Sequence, residues 1–268
     1  MIRTKTYNKV KKFRLARTIM GRGLYFTAAY FVDGLLIDSG CAYTVSELMK
    51  ALEGSAVRTV VNTHSHEDHV AANANLKKKY HANILAHPAA LPVLSNPGKM
   101  RLRPYQLVLW GRPLPCDAKP LGDTLETERY KFQVIHTPGH SPDHVCLYEP
   151  NQGWLFTGDA YVGGRDKALR ADYNIWQILS SLKKLVPLDT SFLFPGSGSV
   201  RESPRFELEE KIRYLEDTGA QILELKNKGL SRTDIRKKVF GREMGIAYYT
   251  LRHFSGRNLV RSYLDDSV

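Results

Sequence analysis

The segment His64-Ser65-His66-Glu67-Asp68-His69 constrains this chain more than any other. It gathers three of the nine histidines and two carboxylates into six residues. It also directly follows an apolar run, Val57–Val61, that reads as a strand. Alternate residues of an extended segment point the same way, so His64 and His66 can share one ion. Asp68 and His69 open the following helix and turn toward an adjoining position. Neutral imidazole and carboxylate are ligands that zinc and ferrous iron prefer, and four such groups packed this closely would otherwise be hard to satisfy.

Two later segments extend the set. Thr137-Pro138-Gly139-His140 follows a strand predicted at Tyr130–His136, so His140 sits at another strand end and can complete a three-histidine site. Phe156-Thr157-Gly158-Asp159 follows a strand at Gly153–Phe156 and offers a carboxylate placed to bridge two ions. Each alone is an ordinary loop, and their order behind the first motif makes them specific.

Around these motifs strand and helix alternate, the pattern of a layered α/β fold. Strands are predicted at Leu24–Val32, Leu35–Asp38, Ile84–Ala86, Val145–Tyr148 and Ser191–Pro195. Apolar residues at helical spacing predict helices at Thr44–Leu52, Val70–Tyr80 and Ile175–Leu185. From Ser203 onward the chain reads as helical. Ser203 is an N-cap with Pro204 at the first helical position, Gly229 closes that helix, and shorter helices open at Ser231 and Ser255.

HSHEDH, TPGH and TGDA, in this order on a β-rich layout, resemble the metallo-β-lactamase superfamily of metal-dependent hydrolases over residues 20 to 200. The resemblance implies an α/β fold, an αββα sandwich with its ligands along one edge of two packed sheets. It implies a catalytic domain over 1–202 and a small helical C-terminal extension over 203–268. It further implies that His64, His66 and His140 hold a first metal, that Asp68 and His69 hold a second, and that Asp159 bridges them.

The chain departs from the family at one turn. A Pro-Gly-His-Gly type turn usually supplies the last ligand of the second metal, whereas this sequence reads Pro195-Gly196-Ser197-Gly198. A serine hydroxyl is a far poorer ligand than imidazole for such metals. Either the second ion is weakly held, or the enzyme works with one, or His253 swings in from the C-terminal helices. His144 in Ser-Pro-Asp-His is read as supporting the site rather than ligating.

Six of the 13 prolines fall between Ala89 and Leu121. A segment so irregular is expected to form a lid or binding loop, with Arg101, Arg103, Tyr105 and Trp110 available to bind. Tyr161–Tyr173, carrying Arg165, Lys167 and Arg170, is expected to shape the pocket for an anionic substrate. Leu225–Gly241 has the outline of a helix-turn-helix. Either Arg232, Arg236, Lys237 and Lys238 contact nucleic acid there, or two helices pack and leave them solvated.

Composition narrows the setting. Lys and Arg exceed Asp and Glu by 39 to 27, a net charge of +12, which bears on encounter with phosphates, nucleic acid or acidic surfaces rather than on fold. Hydrophobic residues at 43% and charged residues at 25% exclude a disordered or coiled-coil chain. Three cysteines without a CxxC exclude a disulfide scaffold and a cysteine zinc site, and they fit a reducing cytosol. No stretch approaches the ~18 apolar residues of a membrane span, and the basic N-terminus lacks a signal peptide's apolar core. A cytoplasmic protein without a membrane partner is expected.

The sequence therefore predicts a metal-dependent hydrolase acting on a small-molecule ester, thioester, lactone, amide or phosphodiester. Zinc, with iron and manganese as alternatives, would acidify a bound water to a pKa of about 7, and Asp68 would orient that water and accept its proton. The alternatives are a nucleic-acid phosphodiesterase, and a metal- or nucleic-acid-binding protein whose catalysis was lost with Ser197.

Overall fold

The protein is described by a computed structural model over residues 1–265. The end of the expected extension, 266–268, lies outside the described residues. One sheet runs in chain order: β1 (Ile2–Tyr7), β2 (Val10–Ile19), β3 (Arg22–Val32), β4 (Leu35–Ile37), β5 (Thr59–Val61), β6 (Asn83–Ala86) and β7 (Lys119–Pro120). Hairpins make β1 to β4 antiparallel, whereas helical crossovers make β4 to β7 parallel. A second sheet holds β8 (Thr124–Glu126), β9 (Lys131–His136), β10 (Val145–Glu149) and β11 (Trp154–Gly158) as an antiparallel meander. β12 (Leu169–Arg170) leaves this sheet to pair elsewhere, and β13 (Phe192–Pro195) returns parallel to β11.

Side-chain alternation explains why the two sheets pack face to face. In β10, Val145 and Leu147 point into a core shared with Tyr30, Leu35 and Ile37 of the first sheet, along with Trp154, Phe156 and Phe194 of the second. Cys146 and Tyr148 point the other way. There they meet α5 (Ile175–Leu185), α6 (Pro204–Asn227) and α9 (Gly256–Asp265), three of the nine α-helices among the described residues. The outer face of the first sheet is covered by α1 (Val45–Ala51) and α2 (Asn73–Tyr80) through Leu48, Leu52 and Leu76. Helix, sheet, sheet, helix is the order of layers, as expected for an αββα sandwich.

The basic N-terminus forms β1 and β2, in which Val10, Phe13 and Leu15 are buried; Lys12 is buried as well, and its Nζ donates to Gly198 O at 2.7 Å. Two local expectations differ from the structure. The proline-rich stretch is irregular only in part: it folds into α3 (Leu91–Ser95) and α4 (Pro104–Leu109), with Pro92 and Pro104 accepted in their first turns, while 111–118 carry no helix or strand. The C-terminal region has α7 (Arg232–Phe240) where expected, with Ser231 as its cap, but also a short α8 (Gly245–Tyr249). Beyond α8, β14 (Phe254–Ser255) pairs with β12 and so ties this region to the segment following Asp159. Ile235 packs α7 against the rest of the helical layer, while Arg232 pairs with Asp265 and Lys237 and Lys238 stay exposed.

Among the described residues, no helix is long and apolar enough to cross a membrane. Cys41, Cys116 and Cys146 are free and buried.

Candidate metal centre and cavity

All three sequence-predicted histidines of the first site converge. His66 Nδ1 lies 2.9 Å from His64 Nε2 and 2.9 Å from His140 Nε2. His64 and His66 come from the turn after β5, and His140 comes from the turn between β9 and β10, so two sheets must pack to bring them together. Burial pushes the pKa of His64 and His66 well below the usual range and that of His140 down to about 4. They therefore stand as neutral imidazoles, the form that donates a lone pair to a cation.

A second group forms beside them from His64, His69 and Asp159. His69 Nε2 is 3.6 Å from Asp159 Oδ1 and 3.7 Å from Asp68 Oδ2, and the other oxygen of Asp159 is 3.6 Å from His140 Nε2. Asp159 thus reaches toward both clusters. His69 Nε2 is fully buried and has no hydrogen-bond partner. Burial opposes a charge on His69, but Asp38, Asp68 and Asp159 outweigh it and raise its pKa well above the usual value. Burial raises that of Asp68. A buried, partnerless imidazole nitrogen facing carboxylates is a place that stabilises a positive charge, and the donor set fits a divalent metal.

Supporting residues fix these rings. Asp38 accepts from Thr63 N and Thr63 Oγ1, each at 2.8 Å, and lies 2.8 Å from His69 Nδ1. Its own backbone is left-handed, φ 59°, a conformation that costs a non-glycine residue and persists where surroundings hold it. Asp143 accepts from Ser65 N at 2.8 Å, and Glu67 accepts from Gln106 of α4 at 2.8 Å. Sequence reasoning passed over Asp38 and Asp143. A carboxylate ending a strand at Ile37-Asp38-Ser39-Gly40 was the available signal. His144 supports, as expected: its Nε2 accepts from Asp159 N at 3.1 Å and its Nδ1 lies 2.9 Å from Thr137 Oγ1.

Ser197 lines the cavity beside this centre, half-buried. The turn carrying it runs so close that a Cβ on Gly196 would strike Asp159 and fall 3.0 Å from His69 Cε1. His253 does not replace the missing ligand. Its Nδ1 lies 2.8 Å from Tyr105 Oη and its Nε2 faces Asp172 at 3.8 Å.

The centre opens into a cavity of about 770 Å³. Tyr25 and Phe26 of β3, Tyr105, Val108 and Trp110 of the proline-rich stretch, and Ile246, Tyr249 and Phe254 of the C-terminal region form its walls. Tyr25, held at φ 51°, meets Trp110 edge-on at 5.4 Å. The proline-rich stretch does wall the site, through Tyr105 and Trp110, while Arg101 and Arg103 stay exposed outside it. Among the three expected cations only Arg170 lines the cavity, and Asp172 holds it by two hydrogen bonds of 2.7 Å. Tyr173 closes the wall, its hydroxyl 3.2 Å from His140 Nε2.

The family profile of the metallo-beta-lactamase superfamily matches residues 22–197. The beta-lactamase-like protein 2 homolog of Drosophila melanogaster is 28% identical over 246 residues, covering 84% of this chain and 76% of the relative. An atrochrysone carboxyl ACP thioesterase of Aspergillus fumigatus is 29% identical over 217 residues, 76% of this chain and 45% of that protein. Among solved structures, a metallo-beta-lactamase family protein from Thermus thermophilus superposes with a TM-score of 0.67 at 18% identity, covering 99% of this chain and 92% of its own.

Proposed function

Because the chain belongs to the metallo-beta-lactamase superfamily of hydrolases, we propose that it cleaves a thioester or ester with a bulky apolar acyl group. One observation carries this reading: the cavity over the histidine cluster is walled largely by aromatic and aliphatic side chains, and its two lining cations are already paired, Arg170 with Asp172 and Lys211 with Asp166. Apolar walls favour an acyl chain over a bare anion. The similarity to a thioesterase supports the same bond type.

His64, His66 and His140 would hold the first metal, zinc by preference, with iron and manganese suited to the same donors. His69, Asp68 and Asp159 would hold a second ion weakly, because Ser197 offers no imidazole. A metal bound there supplies charge that polarises a carbonyl oxygen and acidifies a water. Asp68 orients the attacking water and accepts its proton. The water oxygen bonds to the carbonyl carbon, the carbon–sulfur or carbon–oxygen bond breaks, and the proton held by Asp68 returns to the leaving atom. The apolar walls seat the acyl chain and exclude bulk water. Residues 1–202 are read as the catalytic unit, and the 203–268 extension completes its cavity through Ile246, Tyr249 and Phe254.

The test is a panel of thioesters and esters of rising acyl length beside a generic phosphodiester, run on zinc-loaded protein. Turnover that improves with acyl length supports the reading. Preference for the phosphodiester would replace it with the phosphodiesterase alternative. No turnover of any substrate by protein that holds metal would favour a chain that lost catalysis with Ser197.

A further inference from the structure

A second concave surface lies across α8 from the cavity. Ile246, Tyr249 and Thr250 face the cavity, while Ala247, Tyr248 and Arg252 line a separate groove of about 200 Å³. Residues three and four apart share a helix face, so α8 is a thin partition with one face turned to each. Arg232, Arg236 and Arg257 complete the groove, and Glu243 is the only carboxylate in its lining. Arg232 is held by Asp265, and Arg236 donates to Gly241 O at 2.8 Å and faces Glu243 at 3.8 Å. Among the described residues, the side chains of Arg252 and Arg257 have no hydrogen-bond or ion-pair partner, and both are exposed.

The backbone that presents Arg252 is unusual. Leu251 and Arg252 are consecutive non-glycine residues in the left-handed region, at φ 50° and 62°. Such backbone persists only where the surroundings enforce it. Here Asn258 Nδ2 donates to Arg252 O at 3.0 Å and His253 O at 2.9 Å, and Phe254 N donates to Thr250 Oγ1 at 3.0 Å. Beside the guanidinium groups Tyr248, 64% exposed, offers a free aromatic face.

We propose that this groove binds the phosphate-bearing end of the substrate's leaving group. The substrate would be an acyl thioester whose thiol is linked to a phosphorylated nucleotide, as in coenzyme A. Its acyl chain lies in the cavity and its arm passes over the exposed end of α8. Guanidinium forks match phosphate oxygens, and an exposed aromatic face stacks a base. A groove of about 200 Å³ beside the hydrolytic cavity holds the phosphate groups, with the base lying over Tyr248, rather than a running strand. The assignment rests on the thioester reading above.

Calorimetric titration of the full-length, zinc-loaded protein with adenosine 3′,5′-bisphosphate tests the groove without any turnover. Inorganic phosphate and a short single-stranded RNA serve as further arms. Wild-type protein is expected to bind the nucleotide at least tenfold more tightly than Arg252→Ala/Arg257→Ala, whose melting temperature checks that it folds. The kcat/KM ratio of an acyl-coenzyme A over the same acyl group on N-acetylcysteamine should fall at least tenfold in that variant. Equal nucleotide binding by both proteins, or an unchanged ratio, overturns the proposal. So does phosphate binding as tightly as the nucleotide, or RNA displacing it at lower concentration. Arginine-dependent nucleotide binding by a protein that turns over no thioester would keep the groove as a nucleotide site and overturn the thioester reading alone.

Discussion

Asp38 Oδ2 lies 2.8 Å from His69 Nδ1, and this contact decides which nitrogen of the ring faces the centre. With Nδ1 engaged, Nε2 is left buried and partnerless between Asp68 and Asp159. Asp38→Asn keeps the shape but removes the charge that orients the ring. Carboxylates behind ligating histidines typically govern metal affinity by about 10- to 100-fold. The variant should therefore lose its weaker metal at correspondingly lower chelator concentration, read by competition with a chelating indicator. Unchanged competition would show that the ring is oriented by something else.

His66 Nδ1 is the atom on which the other two imidazoles converge. His66→Ala should abolish hydrolysis while the protein stays folded, because the ring sits on a turn rather than in either sheet core. Circular dichroism melts and turnover of a substrate that wild type cleaves check both halves. Retention of most activity would mean that the reaction does not use this cluster.

On the proposed assignment of ligands, Ser197 makes the two metal positions unequal. Mild chelation should leave near one metal per chain, and Ser197→His should raise the count toward two, since losing a ligand costs at least as much affinity as losing a supporting contact, about 10-fold or more. Elemental analysis after dialysis gives the count. Two equally tight metals in wild type, unaltered by Ser197→His, would mean that another group completes the second site.

Trp110 and Tyr25 stack edge-on at the cavity wall, 5.4 Å apart. Trp110→Ala removes the larger ring and should raise KM for a long-chain acyl substrate by about tenfold, ~1.4 kcal/mol of binding, with little change in kcat. A fall in kcat without a change in KM would place Trp110 in the chemistry instead of the wall.

Phe156 is fully buried between the sheets, stacked on Phe194 at 4.7 Å. Phe156→Ala should cost about 3–5 kcal/mol in denaturant unfolding with an unchanged m-value. A cost near zero would mean that the inter-sheet core closes over the gap.

The sequence alone determined the cluster of candidate metal ligands and the layering. Side-chain period 2 in Val145–Tyr148 and helical spacing in Ile175–Leu185 are local properties, and so is the crowding of His64, His66, Asp68 and His69 into one turn. The tertiary structure alone decided what the cavity is made of. Its walls come from β3, α4 and the region beyond residue 240, segments far apart in the chain that meet only because β14 pairs with β12 and both sheets stack. No local pattern could assign His253 to Tyr105, 148 residues away, since such partners are chosen by packing. Asp38 belongs to the same class: its carboxylate is ordinary as a residue type and becomes decisive only when the strand carrying it lies beside Thr63 and His69. Candidate ligands are written in residue type and spacing, while the walls of the cavity are written in long-range contacts, which depend on the whole fold.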